Sequence, residues 1–276
     1  MRVHTTTSCL LTFFLLCFAV TAVAESLNPK LDAKHTFNIG AFSQTGDFHV
    51  ALTRPPFQKI TLDLVDDLNV DENFVTVLVD YRWRFLDRWH LTLGFTSFES
   101  DGSRINATEF NFDGEVFQAG YEIETDVNLK AYVFDINYAV SRGDRHEFSV
   151  GGGLHAFDLE LDLEARLFVN GSVSDSVRET SELLAPLPNI RIYGFYALTP
   201  KWHIAATGGW LSFALDEWDG DYLYLNARAE YRVTERFGIG LGYQFVDIDV
   251  ERDTRDKKAE YVVDIRGPTL YLSYAF

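Results

Sequence analysis

Apolar and polar residues alternate with a period of two along most of the chain. In 75–85 (VTVLVDYRWRF) every odd-numbered position is apolar or aromatic, while the even-numbered positions include Asp80, Arg82 and Arg84. The same alternation returns in 89–95 (WHLTLGF), after three residues that favour a turn. A period of two is that of a β-strand, and two such segments joined by a short polar stretch predict a hairpin.

Ten segments of this kind predict an all-β chain, an up-and-down antiparallel transmembrane β-barrel of about ten strands. Short turns alternate with mostly long connections, as expected when the short turns face the periplasm and the long loops face outside. The predicted strands are 36–45, 75–85, 89–95, 131–140, 146–157, 189–198, 202–213, 222–233, 237–245 and 269–276.

The long connections leave the strand count open. Those at 46–73 and 101–128 contain alternation of their own, so that eight or twelve strands are alternatives. Asn170-Gly171 is a two-residue hairpin signal, which predicts that the connection 158–188 is partly two strands continued beyond the bilayer. The remaining connections are 246–265 and a shorter one at 214–221.

Energetic cost decides which face of each strand meets lipid. In 222–233, Arg228, Glu230 and Arg232 share one face with Asn226, and apolar side chains occupy the other. A lipid-facing arginine near the middle of the membrane costs about 2–4 kcal/mol, so the charged face is expected to point inward. Unpaired strand edges are not tolerated in hydrocarbon, so the sheet must close into a barrel.

The N-terminal residues 1–24 have the features of a secretory signal peptide, which leaves 25–276 as the barrel. An apolar run at 10–20 precedes Ala22-Val23-Ala24, an A-x-A cleavage site. Both cysteines of the chain lie in this signal, so the mature protein has no disulfide or thiol chemistry. Removing Arg2 changes the formal charge from −17 to −18, which disfavours binding to nucleic acid.

Aromatic residues cluster beside the short turns, where they are expected to form the periplasmic girdle of the barrel. They are Trp83, Phe85, Trp89, Trp202, Phe237 and Phe276. The chain closes with TLYLSYAF (269–276), whose apolar face ends on Tyr274 and Phe276. With the signal peptide and the alternating strands, this ending resembles the outer-membrane β-barrel proteins of Gram-negative bacteria, including small porin-like and uncharacterised barrels.

The resemblance implies location in the bacterial outer membrane and contact with its lipid and lipopolysaccharide. It also implies that a C-terminal strand ending in Phe276 is recognised by the barrel-assembly machinery. We expect a monomer without cofactor or metal. An acidic run in the first outer loop could hold calcium or bridge to lipopolysaccharide phosphates through divalent ions, although a solvated loop surface is the simpler interpretation. This run comprises Asp63, Asp66, Asp67, Asp71 and Glu72.

Charged side chains at inward positions are the candidate functional residues, because they would line any pore. They are Asp80, Arg82, Arg84, Asp135, Glu147, Arg191, Arg228, Glu230 and Arg232. Cations and carboxylates are nearly balanced, and the interior of a ten-stranded barrel is narrow. The sequence therefore predicts either a structural barrel closed by salt bridges or a narrow pore for small solutes, and an apolar lumen is disfavoured.

Two other functions remain as alternatives, an outer-rim enzyme that acts on peptides or lipid A, and a surface-binding or adhesion barrel. His155 and Asp158 are expected near the outer end of their strand, but residues at i and i+3 point to opposite faces, which argues against a catalytic couple. We therefore expect no enzyme. The glycines at 151–153 and 238–242 precede no predicted helix, so they do not indicate a phosphate site.

Overall fold

The computed structural model describes residues 26–53, 59–105, 109–112, 115–169 and 172–276. The predicted signal peptide and Asn170-Gly171 lie outside these ranges. No helix in the described ranges has the length and apolar character needed to cross a membrane. The one helix they contain is the short α1 (Pro29–Asp32).

Antiparallel strands form one closed ring. Its ten members are β1 (His35–Thr53), β3 (Asn73–Leu86), β4 (Trp89–Ile105), β7 (Glu122–Arg142), β8 (His146–Val169), β9 (Ser172–Ala197), β10 (Trp202–Leu215), β11 (Trp218–Arg232), β12 (Phe237–Asp253) and β13 (Lys258–Ala275). Each strand pairs with its sequence neighbours in the ring, and β13 pairs with β1 to close it. The predicted up-and-down barrel of ten strands is confirmed.

Three short strands of the described ranges lie outside the ring. Strand β2 (Ile60–Asp63) pairs with β1, and β5 (Phe110–Phe112) pairs with β6 (Glu115–Phe117) as a separate two-stranded sheet. These strands explain the additional alternation in the long connections, which does not add members to the barrel.

Most ring strands are much longer than the ten residues that the sequence suggested. Part of what the alternation pattern left as long loops is strand, since β7 begins at Glu122. The predicted continuation of two strands beyond the bilayer is confirmed, because β8 and β9 pair outward as far as Val169 and Ser172. The segment 214–221 contains only a two-residue turn, in which Asp216 adopts a φ of 55°. The ring therefore continues well beyond the membrane on the side of the long connections.

The outward face of the ring carries an apolar band. In β7 the outward residues 132–140 are apolar or aromatic, and the corresponding stretches in β8 and β12 are 148–156 and 237–245. Nine residues at about 3.4 Å each, tilted by about 40°, cover about 23 Å along the barrel axis. That height matches the apolar band of about 25 Å that is typical of outer-membrane barrels.

A collar of charged residues follows this band. In eight ring strands the first outward charged side chain beyond the apolar stretch is exposed or half-buried. The charged collar consists of Asp47, Glu99, Lys130, Asp158, Glu182, Asp221, Asp247 and Arg266. Since charged groups avoid hydrocarbon, the collar marks the outer boundary of the membrane.

Beyond the collar the polarity of the wall is reversed. Outward residues of β7 there include Glu122, Glu124 and Asp126, whereas the inward residues Ile123 and Val127 are buried. The outer part of the barrel thus has a charged outside and an apolar inside, as in a water-soluble barrel. The membrane part has the opposite arrangement.

Candidate functional site in the barrel interior

The membrane part of the interior contains all nine charged residues that the sequence pattern placed inward. Each is buried or half-buried, and each lies on the face opposite the apolar band. The structure organises them around four carboxylates, those of Asp80, Asp135, Glu147 and Glu230. Each of the four forms at least one ion pair with an interior cation, so the salt-bridge network consists of four clusters, one around each carboxylate.

Glu147 is the centre of the first cluster, near the periplasmic turns. Its side chain is fully buried, and its two oxygens lie 2.5 Å from Nη2 of Arg82 and 2.5 Å from Nη2 of Arg84. Ser149 Oγ donates a further hydrogen bond at 3.2 Å, and Nε of Arg142 lies 3.7 Å away. Charge-assisted hydrogen bonds of this kind are about twice as strong as neutral ones.

Glu230 is the centre of the second cluster, and one of its partners comes from outside the ring. Nζ of Lys30, in α1, donates to its carboxylate, and Nη1 of Arg232 lies 3.3 Å away. His203 Nε2 lies 3.7 Å from the same carboxylate. Lys30 also donates to Ser273 Oγ at 3.0 Å, so that the N-terminal segment is attached to two ring strands.

The N-terminal segment 26–34 covers the periplasmic end of the interior. Asn28 caps α1 by accepting a hydrogen bond from the Lys30 amide at 3.1 Å, and Pro29 begins the helix. Leu31 is buried against Phe195 and Ala197. Sequence reasoning missed this segment, because four helical residues carry no periodicity; a lone lysine beside a leucine just before the first strand was the available signal.

Two more ion pairs lie farther from the periplasmic end. Nη1 of Arg228 donates to Asp80 at 3.0 Å, and Asn38 Nδ2 donates to the same carboxylate at 2.6 Å. Nη1 of Arg191 lies 2.5 Å from Asp135. The Arg228 pair joins strands far apart in the ring, β3 and β11, so the salt bridges cross the lumen and do not merely follow its wall.

His155 belongs to the Asp135 cluster. Nε2 of its imidazole lies 3.2 Å from Asp135 Oδ1, and Nδ1 lies 2.5 Å from the Tyr222 hydroxyl. It is 1 % exposed, well inside the barrel and not at the outer rim where the sequence placed it. Asp158 lies on the outward face in the charged collar, as the i, i+3 spacing indicated.

Inward glycines provide the space that these side chains occupy. A β-carbon at Gly153 would overlap the Asp135 carboxylate, and one at Gly238 would overlap the Glu230 carboxylate. Gly240 lies against the Tyr271 ring in the same way. The glycine runs that resembled phosphate-binding sequences therefore serve packing inside the barrel.

The outer half of the interior is apolar, which corrects the expectation of a polar lumen throughout. A continuous cluster of buried side chains fills it, including Phe48, Leu161 and Val250. Leu64 and Leu68, after β2, and Phe112, in β5, belong to the same cluster and cover the outer end. Among the described residues, the interior is thus closed by apolar packing outside and by salt bridges at the periplasmic end.

The aromatic residues predicted for the girdle lie together around the periplasmic end, on the outward face. Trp83, Trp89, Trp202 and Phe276 are 38–56 % exposed, as expected for side chains that contact lipid. Trp89 packs on Tyr138 and Trp202 on Tyr231, each with ring centres 5.0 Å apart. Tyr274 packs between Phe237 and Phe276, at 4.7 and 5.2 Å.

The outer surface beyond the collar is strongly acidic. Asp264 stands directly opposite Asp247 on one neighbouring strand and Asp47 on the other. Partial burial and these two carboxylates raise the pKa of Asp264, although Arg266 acts in the opposite direction. Like charges directly opposite each other in a sheet are destabilising.

His49 is the one histidine that the described residues place on this outer surface. Its Nε2 lies 3.2 Å from Asp47, and its Nδ1 lies 3.6 Å from Asp63. These three groups are close enough to share a metal ion. Asp63 belongs to the acidic run noted in the sequence, but the pairing with His49 depends on the register between β1 and β2 and was not predicted.

The comparisons with known proteins agree on the fold. No protein-family model matches the sequence, and no curated protein is significantly similar to it. The crystal structure of the outer membrane protease OmpT from Escherichia coli superposes with a TM-score of 0.58 at 10 % identity, covering 88 % of this chain and 96 % of OmpT. At this identity the likeness shows the fold and not the activity.

Weaker likenesses are also to outer-membrane barrels. The translocator domain of the autotransporter NalP from Neisseria meningitidis has a TM-score of 0.44 at 10 % identity, covering 88 % of this chain and 89 % of that domain. The toluene transporter TbuX of Ralstonia pickettii has a TM-score of 0.38 at 12 % identity, covering 90 % and 92 %. The closed ring, its apolar band and the OmpT-like fold together show an outer-membrane β-barrel protein of the Gram-negative type.

Proposed function

We propose that this protein is a structural outer-membrane barrel with a closed interior, which allows no continuous flow of ions. The observation that carries the proposal is the closure of both ends of the lumen. Salt bridges and segment 26–34 fill the periplasmic end, and an apolar cluster fills the outer end. An open porin needs a continuous aqueous path, which this packing interrupts.

Segment 26–34 supports the proposal because it is bound to the barrel by several independent contacts. The Leu27 amide donates to the Asp144 carbonyl at 2.7 Å, and Asn28 Nδ2 donates to the Pro200 carbonyl at 3.3 Å. Arg142 donates to the Leu31 carbonyl at 3.2 Å and to Asp32 at 2.8 Å. These partners lie on two different periplasmic turns and on a strand end, so the segment spans the opening.

Planar-bilayer recording tests this proposal. The purified barrel is inserted into a bilayer, and insertion is verified by heat-modifiable migration in gels of protein recovered from vesicles of the same lipid. We expect no stable conductance steps from inserted protein. Reproducible porin-like steps from the wild type would refute the closed interior.

An enzyme of the outer surface is the second candidate, and His49 is the observation that favours it. Histidine is the side chain that most often serves as a general acid or base in catalysis. Incubation with peptides and with lipopolysaccharide is the test, with His49→Ala as the variant and His155→Ala as the matched control, because His155 is buried. Turnover lost in His49→Ala and kept in His155→Ala supports this function; no turnover by the wild type excludes it for these substrates.

A further inference from the structure

A cavity of about 170 Å³ lies in the barrel interior between the salt-bridge network and the apolar outer half. A cavity of roughly 10–15 Å³ accommodates one water molecule, so this cavity is much larger than the site of a single water. One part of its wall is apolar and includes Phe42, Phe98 and Phe157. The cavity thus has the two-sided character that an amphipathic molecule requires.

The polar part of the wall is rich in cations. Lys30, Arg82, Arg191 and Arg228 line the cavity, whereas Asp80 is the one carboxylate among the lining residues that the structure describes. The carboxylates of the other three clusters lie behind the wall. A negatively charged group in this cavity would therefore meet more cations than anions.

Formal charge in the surrounding network is also unbalanced. Leaving aside Arg142, which also pairs with Asp32 and Asp87, six cations share four carboxylates within the described part of the membrane interior. Glu147 is shared by Arg82 and Arg84, and Glu230 by Lys30 and Arg232. Burying a cation without a full counter-charge is unfavourable, and an additional anion would compensate it.

Asn137 provides an independent observation that points to a ligand. Its side chain lines the cavity and is 1 % exposed, and both its amide nitrogen and its oxygen are without a hydrogen-bond partner among the described residues. A buried amide normally has partners. A polar head group or water in the cavity would supply them.

We propose that this cavity binds one single-chain amphiphile with an anionic head, of the short-chain fatty-acid class, since a cavity of about 150 Å³ holds a molecule the size of benzene. The carboxylate lies among Arg82, Arg191 and Arg228, and the hydrocarbon chain lies against Phe42, Phe98 and Phe157. The inference rests on the closed barrel proposed above, since a continuous water path would remove the apolar environment. The conductance test and the binding test are separate measurements, so failure of one is distinguishable from failure of the other.

Hexanoate is a probe of suitable size, with hexanol and hexyltrimethylammonium as chain-matched comparisons. Because both ends of the interior are closed, the barrel is refolded from urea in the presence of each probe, and bound probe is counted by native mass spectrometry. We expect saturable binding of one hexanoate, at least tenfold weaker binding of the cationic probe, and affinity that rises about fourfold per added methylene until the chain fills the cavity.

Two variants separate the cavity from the surface of the barrel. Ala131→Phe fills the cavity from β7 and should abolish binding, whereas Ala41→Phe places the same ring on the lipid-facing surface of β1 and should not. Arg82→Gln leaves Glu147 paired with Arg84 and should weaken the binding of hexanoate at least tenfold while changing the binding of hexanol little. Heat-modifiable migration verifies that each variant is folded.

Three results would overturn the inference. The first is absence of saturable hexanoate binding to the wild type. The second is equal binding to folded Ala131→Phe, which would place the probe outside the cavity. The third is equal affinity for hexanoate and hexyltrimethylammonium, which would contradict recognition of the anionic head.

Discussion

Replacement of Glu147 by glutamine tests whether the salt-bridge network stabilises the barrel. The side chain is fully buried and accepts two 2.5 Å hydrogen bonds from Arg82 and Arg84. Glutamine preserves the shape and one acceptor oxygen but removes the charge. The variant would leave the two guanidinium groups facing a neutral amide in a poorly hydrated interior.

The expected loss can be worked out from these contacts. A hydrogen bond to a charged group contributes about 1.5–3 kcal/mol, and two of them weaken together in Glu147→Gln. Removing one member of a buried ion pair typically costs about 3–5 kcal/mol, because the remaining charge is left uncompensated. The two figures agree, so we expect Glu147→Gln to lower the free energy of unfolding by about 3–5 kcal/mol.

Urea unfolding in lipid vesicles, followed by tryptophan fluorescence and by heat-modifiable migration in gels, measures this loss. The matched control is Glu124→Gln, which removes the same charge from a half-exposed pair with Arg166 on the outer extension. Exposed pairs contribute about 0–1 kcal/mol, so the control should change stability little. A loss below about 1 kcal/mol in Glu147→Gln, similar to that of the control, would refute the role assigned to the network.

Three further predictions concern other parts of the barrel. Gly153→Ala should destabilise it by about 1–3 kcal/mol, because the new methyl group overlaps the Asp135 carboxylate. Gly194→Ala should be tolerated in the same urea assay, because among the described residues no atom beyond its chain neighbours lies within 4 Å of the new methyl group. Asp264→Asn should stabilise the barrel by about 0.2–1 kcal/mol at pH 7, since it removes repulsion by Asp47 and Asp247. The folded state holds the Asp264 proton more tightly than the unfolded chain, so this gain should disappear as the pH falls and the carboxyl is protonated; a gain that persists in acid would contradict the argument. Lipids brominated close to the head group should quench the fluorescence of Trp83, Trp89 and Trp202, and a variant with phenylalanine at all three positions should lose that component; unchanged quenching in this variant would contradict the girdle.

The membrane part of the fold was predictable from sequence because its alternation has a simple energetic meaning. Arg228, Glu230 and Arg232 on one face of a strand can point only inward in lipid, and this fixes the orientation of the neighbouring strands. Short turns and the terminal aromatic strand then indicated the number of strands and the direction of the barrel.

The outer extension was predicted only for β8 and β9, from the hairpin signal at Asn170-Gly171, although the alternation continues in other strands as well. Residues 158–164 (DLELDLE) alternate perfectly, but the charged positions face out and the leucines face in. In the other long connections, charged residues at alternate positions do not fit a strand that faces lipid, so the lipid-facing pattern does not extend the strands there. The apolar outer interior and the cavity follow from this reversal, so they could not be foreseen either.

Contacts between distant parts of the chain were the other feature that the sequence could not predict. Nothing local in the sequence joins Lys30 to Glu230, which lie 200 residues apart. The same is true of His49 with Asp63, whose proximity depends on the pairing of β2 with β1. Strand faces can be deduced from alternation, but the height at which two side chains meet requires the register.

The charged collar fixes how deeply the protein sits in its bilayer. If the barrel moved inward by the length of one residue pair, all eight charged groups of the collar would approach the hydrocarbon together. If it moved outward, the tryptophans of the girdle would leave the head-group layer. Displacement along the membrane normal is therefore unfavourable in both directions. In a membrane of another thickness it is the lipid that must stretch or compress around this cylinder.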